Sequence, residues 1–206
     1  MGSQYGEDVK ALEILGCWAI STGRVLEIGA WHHEDKSNSK LFIDKGWGAV
    51  LVEPSPAGLA DLAAAYCDRE DVIVVGSPVT VHGGFVKLVL SDDALSAEAI
   101  QEQWRATGGY YGAAWFNSLS VAELFAQFGG DFAVCSIDTE GTSVDVFAEM
   151  INCGPRPRVV ILEHDGRLVE LAGIAEAAHY RQAHCNGTNV ILEWTGAKEC
   201  ATSRNS

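Results

Sequence analysis

With 206 residues, 48% of them hydrophobic and 20% charged, the chain is long enough for one ordinary domain and too apolar to be disordered. A total of 28 acids against 14 lysines and arginines gives a formal charge of −14, which argues against the basic face that a nucleic-acid partner requires. No apolar run is long enough to span a bilayer, and residues 1–10 lack the order of a secretory signal, so a cytoplasmic protein with no membrane partner is expected. The six cysteines (17, 67, 135, 153, 185 and 200) form no C-x-x-C pair and no zinc spacing, and they read as small reduced hydrophobes.

In chain order, a helix is predicted over about 5–20. Arg24–Ile28 is a short β-branched run that stops at Gly29, as a buried parallel strand does when it ends at a ligand site. A helix around 38–45 follows, then a strand over Ala49–Val52 that ends at Glu53, 24 residues after Gly29. Pro54-Ser55-Pro56 leads into a helix with Leu59, Leu62, Ala63 and Tyr66 on one face, and Asp71–Val75 is a third strand. Between about 78 and 117 the alternation breaks. Only a strand at Phe85–Leu90 and a helix near Leu95–Ala106 are predicted there, and Trp104, Tyr110, Tyr111, Trp115 and Phe116 gather in the same stretch. It reads as a substrate-side insertion whose aromatics wall an acceptor pocket or pack the insertion itself.

Regularity resumes at Ser120-Val121-Ala122-Glu123, a capping box opening a helix with Val121, Leu124, Phe125 and Phe128 inward. A strand over Phe132–Ile137 ends at Asp138. The next helix starts near Ser143 and buries Val144, Phe147, Ala148 and Ile151, and a strand over Arg158–Leu162 ends at Glu163-His164. Tyr180–Cys185 and Asn189–Trp194 flank Asn186-Gly187 as a hairpin. The expected architecture is a single α/β domain over 1–206: a mostly parallel sheet, helices on both faces, and a C-terminal antiparallel hairpin.

In an open α/β sheet, ligands sit beyond the carboxyl ends of the strands. That rule gathers Glu27–Gly29, Glu53, Gly76, Asp138–Gly141 and Glu163-His164 along one rim. Glu53 is placed to accept both hydroxyls of a ribose, so a nucleoside is expected. A dinucleotide needs G-x-G-x-x-G so that pyrophosphate can approach bare backbone. Here the run is Gly29-Ala30-Trp31-His32-His33-Glu34, with one glycine, bulky side chains and an added acid. S-adenosylmethionine carries no phosphate and a cationic sulfonium, and it is the cofactor expected ahead of NAD.

Four blocks resemble the FkbM family of class I S-adenosylmethionine-dependent methyltransferases, which have a Rossmann-like fold. They are Leu26-Glu27-Ile28-Gly29-Ala30 with Ser37-Asn38-Ser39; Gly46-Trp47-Gly48 through Glu53-Pro54-Ser55-Pro56; Ser136-Ile137-Asp138-Thr139-Glu140-Gly141, similar to the family's I-D-x-E-G; and Tyr180 with Asn186 and Asn189. His32 and His33 stand where the family has a small or acidic residue followed by glycine. The resemblance implies a cofactor site built from Glu27, Gly29, Ala30, Glu53, Pro54, Gly76, Ser77 and Asp138, with Glu27 supporting the loop or the methionine amino group and Gly76-Ser77 at the adenine edge. It places Asp138 and Glu140 beside the sulfonium, and His164 is expected to partner Asp138 as the base; His32 and His33 are next in line. Asp138, Glu163 and His164 form a candidate metal set, but an imidazole suits magnesium or manganese poorly, and a divalent metal is open but not favoured. The implied function is O-methylation of a small-molecule or sugar hydroxyl. The alternatives are a non-catalytic cofactor-binding module and, further behind, a nucleoside-cofactor oxidoreductase.

Overall fold

The structure, a computed structural model, describes residues 2–91, 95–97 and 110–196. Seven strands form the main sheet: β1 (Arg24–Ile28), β2 (Gly48–Val52), β3 (Val72–Val75), β8 (Val134–Ile137), β9 (Val159–Glu163), β10 (Tyr180–Cys185) and β11 (Asn189–Trp194). Their order across the sheet is β10-β11-β9-β8-β1-β2-β3. All neighbouring pairs from β9 to β3 are parallel, and β11 runs antiparallel to both β9 and β10. The helices are α1 (Glu7–Cys17), α2 (Lys40–Asp44), α3 (Pro56–Ala65), α4 (Val121–Phe128), α5 (Ser143–Cys153) and α6 (Leu168–Ala177). None of the described helices is long and apolar enough to cross a membrane.

The central strands are apolar on both faces because both faces are covered. Leu26, Ile28, Cys135, Ile137, Val160 and Leu162 pack beneath α4, α5 and α6 through Leu124, Phe147 and Leu171. The alternate residues Val25, Ala49, Leu51, Val134 and Ile161 pack against α1, α2 and α3 through Leu15, Phe42 and Leu62. Trp47 of the G-W-x-G block is a core residue: it is 1% exposed, its Nε1 donates to the Ser21 carbonyl at 3.0 Å, and its ring lies 5.0 Å from that of Phe42. The hairpin block is also structural. Tyr180 donates its hydroxyl to the Pro157 carbonyl, and Asn186 and Asn189 both donate to Glu7, tying α1 to the sheet.

Register positions the rim. Ile28 pairs with Val52 on one side and with Ile137 on the other, and Ile137 pairs in turn with Leu162. Gly29, Glu53, Asp138 and Glu163 each follow those paired residues, so they emerge level at the carboxyl end of the sheet.

A second sheet, ordered β4-β7-β5-β6, occupies the segment read as an insertion: β4 (Val79–Thr80), β5 (Gly84–Ser91), β6 (Leu95–Ala97) and β7 (Tyr110–Ser120). The helix expected near Leu95–Ala106 is corrected at its start, where residues 95–97 pair with β5 as a strand; 98–106 lie outside the described residues. Pairing to a neighbouring strand overrides a weak local preference. The capping box is present in full, with Ser120 Oγ accepting from the Glu123 amide and the Glu123 carboxylate accepting from the Ser120 amide.

Three smaller readings change. Ala63 of α3 faces solvent while Gly58 is buried, because the helix lies with Gly58 against the Trp31 carbonyl and Glu53. In α5, Val146 and Met150 are buried and Ala148 and Ile151 only half-buried, since the helix is covered over a broad face. Helix α6, with Leu171 and Ala175 inward, has no counterpart among the predicted elements.

Candidate active site

The carboxyl ends of β1, β2 and β8 open onto a cavity of about 1110 Å³, open solvent at its mouth included. Gly29, Glu53, Pro54, Ser77, Asp138 and Glu140 line it, as do Val79, Val86 and Leu88 of the second sheet. At Gly29 the backbone turns out of β1 at φ +84°, and an added Cβ would lie 1.8 Å from the Asp138 carbonyl oxygen. Only glycine fits a left-handed turn this close to another chain segment.

Glu53 is buried, with Oε2 accepting from the Trp31 amide at 2.8 Å and Oε1 from the Ser55 amide at 2.6 Å. Burial raises its pKa; the two amides oppose that shift and the nearby Asp138 adds to it. Each oxygen retains a further lone pair toward the cavity.

Glu27 does not line the cavity. It is buried beneath the loop, where its carboxylate accepts from the Asn38 amide at 2.7 Å and from Ser37 and Ser39. Its role here is to hold the 37–39 turn, and burial pushes its pKa up to about 7. An acid whose folded pKa lies above its unfolded value of 4.5 binds more protons when folded. Its contribution to stability is therefore full below about pH 4.5 and lost as pH rises to 7, by on the order of 3 kcal/mol. Chemical unfolding from pH 4.5 to 7.5 should show a flatter profile for Glu27→Gln than for the wild type; superimposable slopes would contradict this origin.

Two other expected cofactor residues also stand off the cavity. Ala30 is packed in the core, and Gly76 is turned against Leu59. Neither outcome was visible locally, because it depends on which way the chain leaves the strand.

The side chains that meet at the strand ends differ from the grouping expected. Asp138, Glu140 and Glu163 each offer an oxygen within 4.8 Å of the others, whereas the His164 ring accepts from the Gly166 amide and does not join them. Glu163 takes the place assigned to His164, because it is the last residue of β9 and level with Asp138, while His164 has already left the strand. Burial raises the pKa values of all three; a hydrogen bond from Glu163 opposes the rise at Asp138, whereas the Asp138 charge adds to it at Glu163 and at Glu140, which reaches about 7.

His32 and His33 are held away by α3. The His33 amide and Nδ1 both meet Asp61 Oδ2, at 2.9 and 2.7 Å, and the two rings stack at 4.8 Å. His32 Nδ1 accepts from the Glu34 amide, so its proton sits on Nε2, facing Asp61 at 3.4 Å. The bulky pair is thus pinned to α3 rather than inserted into the cavity.

Sequence reasoning missed several lining residues. Asn38 contributes a buried Oδ1 that has no hydrogen-bond donor, and Lys36, Thr139 and Thr142 lie beside it on the wall. Asn38 sits in a quoted block and could have been found there. Val86 and Leu88 alternate along β5 with the exposed Phe85 and the charged Lys87, a period-two signal that could also have been read. The expected aromatic wall is aliphatic where described: Trp115 faces solvent, Trp104 lies outside the described residues, and so do the side chains of Tyr110 and Tyr111.

No family model matches the sequence, and no curated protein is similar to it in sequence. Solved structures match in fold. A precorrin-6y C5,15-methyltransferase from Geobacter metallireducens is 10% identical and gives a TM-score of 0.53, over 95% of this chain and 93% of that one. Streptococcus pneumoniae Sp1610, assigned as a tRNA (m1A22) methyltransferase, is 11% identical with a TM-score of 0.50, over 90% of this chain and 69% of that one. In strand order, in the antiparallel last strand and in coverage, the chain has the class I methyltransferase fold.

Proposed function

We propose that the chain is an S-adenosylmethionine-dependent O-methyltransferase acting on a hydroxyl of a small molecule or sugar, in a group that resembles the FkbM enzymes. The observation that carries this reading is the meeting of Gly29, Glu53 and Asp138 on one cavity at the level ends of three adjacent strands. Among its described lining residues, Glu53, Asp138 and Glu140 are acidic and Lys36 is basic. That balance favours a sulfonium and repels a pyrophosphate, which weighs against the oxidoreductase alternative.

The residues present fit the cofactor. Glu53 would accept the ribose hydroxyls, Asn38 Oδ1 the methionine ammonium, and Lys36 would meet its carboxylate; Pro54 and Ser77 flank the space left for the base. Bound there, the cofactor supplies a methyl carbon activated by the sulfonium. The chain then has to hold the acceptor against Val86 and Leu88 and remove the hydroxyl proton. Glu140, with a pKa of about 7, is poised as the base, and Asp138 orients the same hydroxyl. A small acceptor is favoured over a nucleic acid by the charge of −14.

Calorimetry with S-adenosylhomocysteine tests the site. Glu53→Ala should lose about 1.5–3 kcal/mol, roughly tenfold to over a hundredfold in affinity. Unchanged affinity would remove Glu53 from the site. A nicotinamide fluorescence change on titration would favour the oxidoreductase. Tight binding with no methyl transfer to any hydroxyl acceptor would favour the non-catalytic module.

A further inference from the structure

Asp138, Glu140 and Glu163 bring three carboxylates together with oxygens no more than 4.8 Å apart, and Asp165 adds a fourth charge. Two of their atoms, Asp138 Oδ1 and Glu163 Oε2, are shut off from solvent and meet no hydrogen-bond donor. Asp138 as a residue is half-buried, and it is its Oδ1 atom that solvent does not reach. Buried carboxylate oxygens without donors are costly, so a proton or a cation must supply what the protein does not.

The nearby basic groups do not fully meet this need. Lys36 is the cation felt by both Asp138 and Glu140, and its ammonium is on an exposed residue. Arg167, the other neighbour, is bound bidentately to Asp145 and again to Glu170.

We infer that Asp138, Glu140 and Glu163 form a binding site for a hard divalent cation, such as magnesium, manganese or calcium, at the acceptor end of the cavity. The donor set is all oxygen, as such ions require, because Glu140 stands where an imidazole had been expected. The spacing also fits. Oxygens on opposite sides of an ion bound at about 2.1–2.4 Å lie about 4.2–4.8 Å apart. Asp138 and Glu140 line the cavity, so an ion held there faces the acceptor space; bound to the acceptor oxygen, it would acidify the hydroxyl in place of Glu140, whose carboxylate is then a ligand and no longer the free base. The site depends on these side chains and not on the identity of the nucleoside cofactor.

The second cluster, His32, His33 and Asp61, is comparably tight but is a poorer candidate. Its His32 nitrogen facing Asp61 carries a proton and has no lone pair to offer.

Manganese alone, titrated into the full-length protein and followed by the paramagnetic resonance of the free ion, tests the proposal without a methyl acceptor. One ion per chain is expected, with affinity reduced about tenfold or more in Glu163→Gln and in Glu140→Gln and unchanged in Asp61→Asn. In the wild type, bound manganese should broaden the amide resonances of Thr139 and Glu140 and spare those around Asp61; this reads the location even if a glutamine variant fails to fold. No stoichiometric binding, binding lost in Asp61→Asn, or broadening centred on Asp61 would each overturn the assignment. Manganese binding without S-adenosylhomocysteine binding would sustain this site while rejecting the cofactor reading.

Discussion

Gly29→Ala is expected to lower affinity for S-adenosylhomocysteine by more than a hundredfold and to destabilise the fold by about 3–5 kcal/mol. Two costs combine. The backbone at φ +84° lies in the left-handed region, where a Cβ costs about 1–2 kcal/mol. The same Cβ would meet the Asp138 carbonyl oxygen at 1.8 Å and its carbon at 2.9 Å. Neither neighbour can retreat easily, because the Gly29 amide donates to Val52 and the Asp138 amide to Ile28, clamping the three strand ends together. Relief must come from moving backbone, at about 1–3 kcal/mol or more, and that displaces both Asp138 and the loop that supports Glu53. Gly46→Ala is the matched control. Its φ is +85° but nothing lies within 4 Å of the added carbon, so only the conformational cost of about 1–2 kcal/mol should appear, with binding unchanged. Thermal unfolding together with calorimetry separates the two. Equal effects of the two variants on binding would mean that close approach at Gly29 is not what shapes the cavity.

Trp47→Ala should cost about 3–5 kcal/mol of a total that is about 5–15 kcal/mol for a domain of this kind. The side chain is among the largest fully buried ones, contacts Phe42, lies within 3.1 Å of where a Gly23 Cβ would be, and satisfies the Ser21 carbonyl. Its removal leaves both a cavity and an unpaired acceptor beneath β2. The melting temperature should fall by about 6–20 °C. Any loss of cofactor affinity should be small at temperatures where the variant stays folded, because Trp47 lies on the α2 face of the core and does not line the cavity. A drop of less than about 1 kcal/mol would show that the core can close over the gap.

The amino-acid sequence by itself determined the strands and where they stop. Largely apolar runs rich in β-branched residues at 24–28, 49–52 and 158–162 are legible because a strand covered on both faces has few polar positions, and the break at Gly29, Glu53 or Glu163 is abrupt. The capping box at Ser120 and the hairpin across Asn186-Gly187 were legible for the same reason: each is a local hydrogen-bonding pattern complete within a few residues. Tertiary structure decided what depends on partners distant in sequence. Residues 95–97 became a strand because β5 offered them a ladder, and α6 formed on a weakly patterned stretch because the sheet covers Leu171 and Ala175. Register decided the site. The pairing of Ile137 with Leu162 sets Glu163 level with Asp138 and leaves His164 one residue beyond the strand, bonded to Gly166. A shift of one residue reverses the face a side chain takes, so a grouping of acids that adjacent strand ends suggest in outline acquires its actual members only when the strands are paired.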